Sequence, residues 1–106
     1  MDGEKEEFER DPVKAAKNLK KHKKKDGTGL SFEEAEEVFE DEWAIEEFDK
    51  NNSTIDEARF KVIGRVKSQL VVVVAYTPRN GKRRIISARP ATARERKVYY
   101  DRLGKI

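Results

Sequence analysis

The sequence predicts an α+β fold with two N-terminal helices, a four-stranded, mainly antiparallel sheet and one C-terminal helix. Three observations predict it. Helix-start signals stand at Asp11-Pro12, at Ser31-Phe32-Glu33-Glu34 and at Thr92-Ala93-Arg94-Glu95. Between the second and third of these lie four runs rich in β-branched and aromatic residues. Asn80-Gly81, between the last two runs, has the chemistry of a tight hairpin turn.

The elements follow in order. Asp11 is an N-cap and Pro12 takes the first helical position, where its missing N–H costs nothing. The helix runs to about His22, with Val13, Ala16 and Leu19 as a thin apolar stripe and Lys14, Lys17, Lys20 and Lys21 on the remaining surface. Lys23-Lys24-Lys25 extends the positive charge past the helix C-terminus, where the macrodipole favours it. Asp26-Gly27-Thr28-Gly29 breaks the chain, and the capping box at Ser31 opens a second helix that buries Phe32, Ala35, Val38 and Phe39.

Strands are expected at Trp43–Phe48, Phe60–Val66, Leu70–Thr77 and Arg83–Arg89, with Lys50–Arg59 as a polar loop. Lys67-Ser68-Gln69 and Pro78-Arg79-Asn80-Gly81-Lys82 join the last three into a meander. Leu70-Val71-Val72-Val73-Val74-Ala75 does not alternate, so both faces of that strand are covered and it is central. Pro90 ends the last strand, and the capping box at Thr92 opens a helix that reaches about Leu103 before Gly104 stops it.

A chain of 106 residues suits one domain, residues 1–106, with residues 1–7 expected to be disordered. Charged residues make up 42% and hydrophobic ones 36%, so folding depends on the clustering just described. The absence of cysteine excludes disulfides and thiolate metal sites and suits a reducing cytoplasm. No signal peptide is expected at Met1-Asp2-Gly3-Glu4-Lys5, and the longest apolar run, Leu70 to Tyr76, is too short to span a bilayer. Glu33, Glu34, Glu36, Glu37 and Glu40 read as a solvated helix face rather than a metal site, and no calcium-loop spacing surrounds Asp49. Neither metal nor cofactor is expected.

The net charge of +3 conceals an asymmetry: residues 1–60 carry 11 Lys/Arg against 19 Asp/Glu, whereas residues 61–106 carry 13 against 2. So basic a C-terminal half points to a polyanionic partner such as nucleic acid. The densest functional chemistry lies in Arg83–Tyr100. Strand alternation puts Ile85, Ser87 and Arg89 on one face, so Arg89 is either salt-bridged or placed to receive an anion. Arg65 lies on the face opposite Phe60, Val62, Gly64 and Val66, where it is an isolated surface arginine or converges with Arg89 on one phosphate.

Phe8-Glu9-Arg10-Asp11, Lys14-Ala15, Asn18, Lys21-His22 and Ser31-Phe32-Glu33-Glu34-Ala35 resemble the N-terminal signature of the BrnT toxins. Gly64-Arg65, the valine-rich strand ending in Tyr76-Thr77, and Arg84-Ile85-Ile86-Ser87-Ala88-Arg89 with Ala91-Thr92 and Glu95-Arg96 resemble that family's most diagnostic segment. The resemblance covers roughly residues 8–100. It implies a RelE-like fold, a ribonuclease that needs no metal, toxicity within a type II toxin–antitoxin pair, and a BrnA-like antitoxin through which operator DNA is bound. Two departures stand out: Arg10 replaces the family's usual Trp, and Lys23–Gly29 is an insertion.

Metal-free RNA cleavage requires deprotonation of a ribose 2′-OH, stabilisation of the phosphorane and protonation of the leaving 5′-oxygen. Arg65, Arg84 and Arg89 answer the second need, and His22, Glu95 and Tyr99 are the titratable candidates for the others. Each of the three also has a structural reading: His22 as a helix cap or packing group, Glu95 as the third residue of a capping box, and Tyr99 as a core residue paired with Leu103. Lys21, Arg83, Arg84, Arg94 and Arg96 are expected to bind RNA. A noncatalytic RNA-binding module and a protein-interaction module are the alternative classes.

Overall fold

The valine run supplies the middle of the sheet. The computed structural model describes residues 7–104. Its elements are β1 (Phe8–Arg10), α1 (Pro12–Lys21), α2 (Phe32–Glu36) continued by a 3₁₀ turn at Glu37–Glu40, β2 (Ile45–Phe48), β3 (Phe60–Arg65), β4 (Val71–Arg79), β5 (Lys82–Pro90) and α3 (Ala93–Leu103). A further 3₁₀ turn, Lys50–Asn52, lies in the loop before β3. The sheet order is β1-β5-β4-β3-β2, with β4 in the centre.

The four expected strands are thus five, and the sheet is mixed. β2 to β5 pair antiparallel, whereas β1 runs parallel to β5, with Phe8 opposite Arg83 and Arg10 opposite Ile85. Phe8-Glu9-Arg10 has one apolar side chain and no alternation, so its strand character comes from the free edge of β5 rather than from local propensity. Of the segment expected to be disordered, residues 1–6 lie outside the described residues. Glu7 is held, its carbonyl accepting from the Arg83 N–H at 3.2 Å. At β2 the strand begins at Ile45 rather than Trp43, because the Trp43 N–H turns back to Asp41 Oδ1 at 3.0 Å.

Helices cover both faces. Leu30, Phe32, Ala35 and Val38 pack with Val62, Val72, Val74, Ile85 and Ala88 on one side. Tyr99, with Trp43 and Leu103 beside it, packs with Val71, Val73 and Ala91 on the other. Consecutive valines therefore meet two different cores, which explains their lack of alternation. The β4–β5 hairpin turns at Asn80 and Gly81, with φ of 54° and 74°, the left-handed pair that a two-residue turn matched to strand twist requires.

The expected inner stripe of α1 is corrected. Val13 is 61% and Leu19 40% exposed, and Ala16 is exposed as well. The inner face is instead Ala15 and Asn18, and Asn18 is buried. Its Nδ2 donates to the carbonyls of Ala88 (2.8 Å) and Leu30 (3.1 Å), while its Oδ1 accepts from the Ala88 N–H (3.1 Å). A buried polar side chain is stable when so fully paired, and here the pairing replaces apolar packing as the attachment of α1.

Replacing Asn18 by Leu leaves the Ala88 amide and carbonyl buried without partners. We expect a loss of about 2–4 kcal/mol. Urea unfolding measures it; a change below about 0.5 kcal/mol would show that α1 is held by other contacts.

Candidate active site

Three chain segments converge where β5 ends. Asn18 holds the C-terminal half of α1 against Ala88, so the helix end that carries Lys21 and His22 lies near the end of β5, within range of the Arg89 charge at His22. Pro90 closes β5, the Ala91 N–H bonds to the Val71 carbonyl at 2.9 Å, and Thr92 caps α3, whose first turn carries Arg94, Glu95 and Arg96. These side chains thus come from a helix C-terminus, a strand end and a helix N-terminus.

Arg89 does not share a face with Ile85. A bulge at Ala75/Tyr76 pairs Ala75 with Ser87 and Tyr76 with Ile85, leaving Ile86 as the extra residue. The alternation changes phase there: Ile85 and Ala88 enter the core beneath α1 and α2, and Arg89, opposite Val73, emerges on the α3 face. No sequence pattern marks this slip.

At that position Arg89 meets Glu95 end-on. Nη1 donates to Oε1 at 2.6 Å and Nη2 to Oε2 at 2.8 Å, and the Arg89 side chain remains 34% exposed. Both readings of Arg89 therefore have a basis: it is salt-bridged, yet its Nε–H and second Nη2–H have no hydrogen-bond partner among the described residues. That unoccupied side of the guanidinium is a bidentate fork of the kind that fits phosphate oxygens.

Glu95 also accepts from the Thr92 N–H at 2.8 Å, completing the capping box. The Arg89 hydrogen bonds, aided by that amide, hold its carboxyl down at about 2. It is an anion at neutral pH, and a weak base. Burial, then the charges of Lys21 and Arg89, lowers His22 below its ordinary 6.5, so its imidazole is mostly neutral at pH 7.

The other expected site residues lie elsewhere. Tyr99 is fully buried and donates its hydroxyl to Asp41 Oδ2 at 2.6 Å, and the same oxygen accepts from the Arg65 N–H at 2.8 Å. Burial and the contact with Asp41 push the Tyr99 hydroxyl up, keeping it protonated. Arg65 lies opposite Val71 on β3 and Arg89 opposite Val73 on β5, so the two sit on opposite sides of β4 with a two-residue offset. Arg84 pairs with Glu9 at 3.2 Å and lies 4.0 Å from Asp11. Arg83 is on the other face of the sheet, its guanidinium 4.4 Å from the Phe39 ring centre and 5.4 Å from that of Tyr76. Lys21, Arg94 and Arg96 are exposed, and Arg96 also donates to the Ala91 carbonyl at 2.9 Å.

Sequence reasoning gave no role to Asn18 or Asp41. Asn18 is the one uncharged polar side chain in α1, a signal that was available; Asp41 is hidden in an acidic run. Among the described residues no three His, Cys, Asp or Glu side chains gather as a metal site. The acidic face of α2 is used in ion pairs, Glu36 with Arg10 and Glu34 with Lys24. Among the described residues no helix is long and apolar enough to cross a membrane.

A small α+β domain that gathers arginine, lysine and one neutral histidine where a strand meets two helix ends has the chemistry that suits a polyanionic partner. The family model of the BrnT ribonuclease toxins of type II toxin–antitoxin systems matches residues 11–95, and the chain belongs to that family. The family assigns it RNA as target and an antitoxin as partner. No curated protein matches the chain.

The Arg89–Glu95 pair makes stability depend on acid. Glu95 is held near 2 against an ordinary 4.5, so its contribution is complete above about pH 5 and is lost as pH falls toward 2. Glu95→Gln should cost about 1–2 kcal/mol at pH 7, and the gap to wild type should close by pH 2 in urea unfolding. An equal gap at pH 7 and pH 2 would show that the carboxylate charge is not what stabilises the junction.

Proposed function

We propose that the chain is a metal-independent endoribonuclease that inhibits translation and growth by cleaving RNA, with Arg89 and His22 at the reacting groups. The observation that carries this reading is the open fork of Arg89 at the end of β5, the same strand end to which Asn18 ties the helix end bearing the neutral imidazole of His22. His22 accepts the proton of the ribose 2′-OH as its oxygen attacks the adjacent phosphorus. Arg89 donates to the phosphorane oxygens, a contact strengthened as charge develops. The leaving 5′-oxygen takes its proton from solvent, and the products end in a 2′,3′-cyclic phosphate and a 5′-OH.

Glu95 acts on Arg89, fixing the plane and direction of its fork. Tyr99 positions in turn: with Asp41 it ties α3 to the backbone of Arg65, whose guanidinium offers a second cation to the RNA chain. Lys21, Arg94 and Arg96 bind neighbouring phosphates, and Arg84 joins them by exchanging Glu9 and Asp11 for RNA. A BrnA-like antitoxin covers this cationic face in the cytoplasm and binds operator DNA itself.

Purified protein incubated with total RNA in EDTA should cleave it. Loss of cleavage in EDTA that Mg²⁺ restores would support a metal nuclease instead, and binding without cleavage a noncatalytic module. Arg89→Ala and Arg89→Lys should each lower kcat about 100-fold or more, since lysine keeps the charge but not the fork, and Arg89→Ala should relieve growth arrest. A folded Arg89→Ala variant with full toxicity would remove Arg89 from the site.

His22→Ala should lower kcat by about 100-fold. In the wild type the rate should fall on the acid side with an apparent pKa below 6.5, because protonation removes the base. An acid limb that persists in His22→Ala would assign it to another group.

A further inference from the structure

Residues 22–30 form a small ordered hairpin. The Leu30 N–H bonds to the His22 carbonyl at 2.9 Å, Lys23 bridges Gly29, and the Lys24 N–H bonds to the Thr28 carbonyl at 2.8 Å. The tip is closed by Asp26, whose Oδ1 accepts from the Thr28 N–H at 2.9 Å and hydroxyl at 2.6 Å. Two contacts dock the hairpin: Lys24 Nζ lies 2.9 Å from Glu34 Oε1, and Gly29 sits so close to the Leu19 carbonyl that a Cβ there would collide with it.

This order serves no core. Residues 23–28 are Lys-Lys-Lys-Asp-Gly-Thr, without one apolar side chain, and only at Leu30 does the chain re-enter the interior. What the hairpin presents is cation: Lys23 and Lys25 are exposed, Lys20 and Lys21 adjoin them at the end of α1, and the one acidic side chain of the tip is turned back onto Thr28. Its base is His22, at the end of the helix that Asn18 ties to Ala88, the residue before Arg89.

We infer that the hairpin is an RNA-gripping arm, in which Lys23 and Lys25 bind the phosphate backbone on one side of the scissile position and hold the strand in line with Arg89. The inference rests on the proposed ribonuclease reading. A flexible lysine run would attract RNA equally well at long range. A hairpin fixed by backbone bonds and by Glu34 holds its cations at a set distance from His22, so it adds affinity for phosphates at one spacing from the scissile position.

The test compares the wild type, Lys23→Gln/Lys25→Gln, and the control Lys50→Gln/Lys61→Gln, whose lysines belong to the loop after β2 and to β3. Binding of a 2′-O-methyl single-stranded RNA that cannot be cleaved is followed by fluorescence anisotropy across salt concentrations, and steady-state cleavage is measured on the matching RNA. The arm variant should lose about 0.7 of log–log salt slope per lysine, weaken binding several-fold, and raise KM while kcat stays within about twofold. The control should match wild type, and all three proteins should melt alike. Binding, KM and salt slope equal to wild type in the arm variant would overturn the arm and leave the ribonuclease reading standing. A wild type that neither binds nor cleaves would overturn both. An arm variant that keeps its RNA binding but loses affinity for the antitoxin would make the arm a protein contact and overturn the inference.

Discussion

The carboxamide of Asn18 has three hydrogen bonds, two to Ala88 and one to Leu30, and the arrangement of the candidate site depends on them. Ala88 is the residue before Arg89, and Leu30 is where the chain returns after its excursion from His22. One side chain therefore fixes three things at once: the end of a helix, the end of a strand and the point of re-entry into the core. Hydrogen bonds are more directional than apolar contacts, so the relative placement of His22 and Arg89 is set more narrowly than a leucine at position 18 would set it.

The second constraint is the bulge in β5. Were Ile86 paired in regular register instead of bulged, alternation from Ile85 would send Arg89 beneath α1 and α2, among Phe32, Val38 and Val74, where a guanidinium without an acidic partner is costly; the bulge prevents this. With it, Arg89 reaches the face where α3 begins and where the capping glutamate waits. Glu95 then serves two purposes with one carboxylate, closing the helix N-terminus through the Thr92 amide and orienting the arginine. A carboxylate so committed is a poor proton acceptor, which leaves His22 as the titratable group in the junction best suited to neutral pH.

Much of this was legible in the sequence. The caps at Asp11, Ser31 and Thr92, the Asn80-Gly81 hairpin and the central valine strand depend on local chemistry, and the family resemblance agreed with the match over residues 11–95. Phe8–Arg10 was not legible as a strand, because an edge strand of three residues is specified by the neighbour it pairs with. The inner face of α1 was misread because its attachment is polar: a search for an apolar period found Val13, Ala16 and Leu19 and passed over Asn18. The face of Arg89 was misread because period-two reasoning does not survive a bulge. The burial of Tyr99 was one of the readings its helical spacing from Leu103 allowed, but the carboxylate it bonds, Asp41, lies 58 positions away along the chain.

The position of β4 also bears on how the chain avoids sticking to itself. Val71–Val74 is four successive buried valines, followed by Ala75, a run with the composition of an aggregation-prone segment. Both of its neighbours, β3 and β5, are joined to it by short turns, so each flank is covered by chain that lies adjacent in sequence and closes quickly. The distant strand β1 is needed only to finish the outer side of β5. The edges left at the rim are the three residues of β1 and the four of β2, and each carries acidic side chains, Glu9 in one and Glu46 and Glu47 in the other. Short, charged rims offer a poor template for another copy of the sheet, and the stickiest segment lies two strands in from either rim.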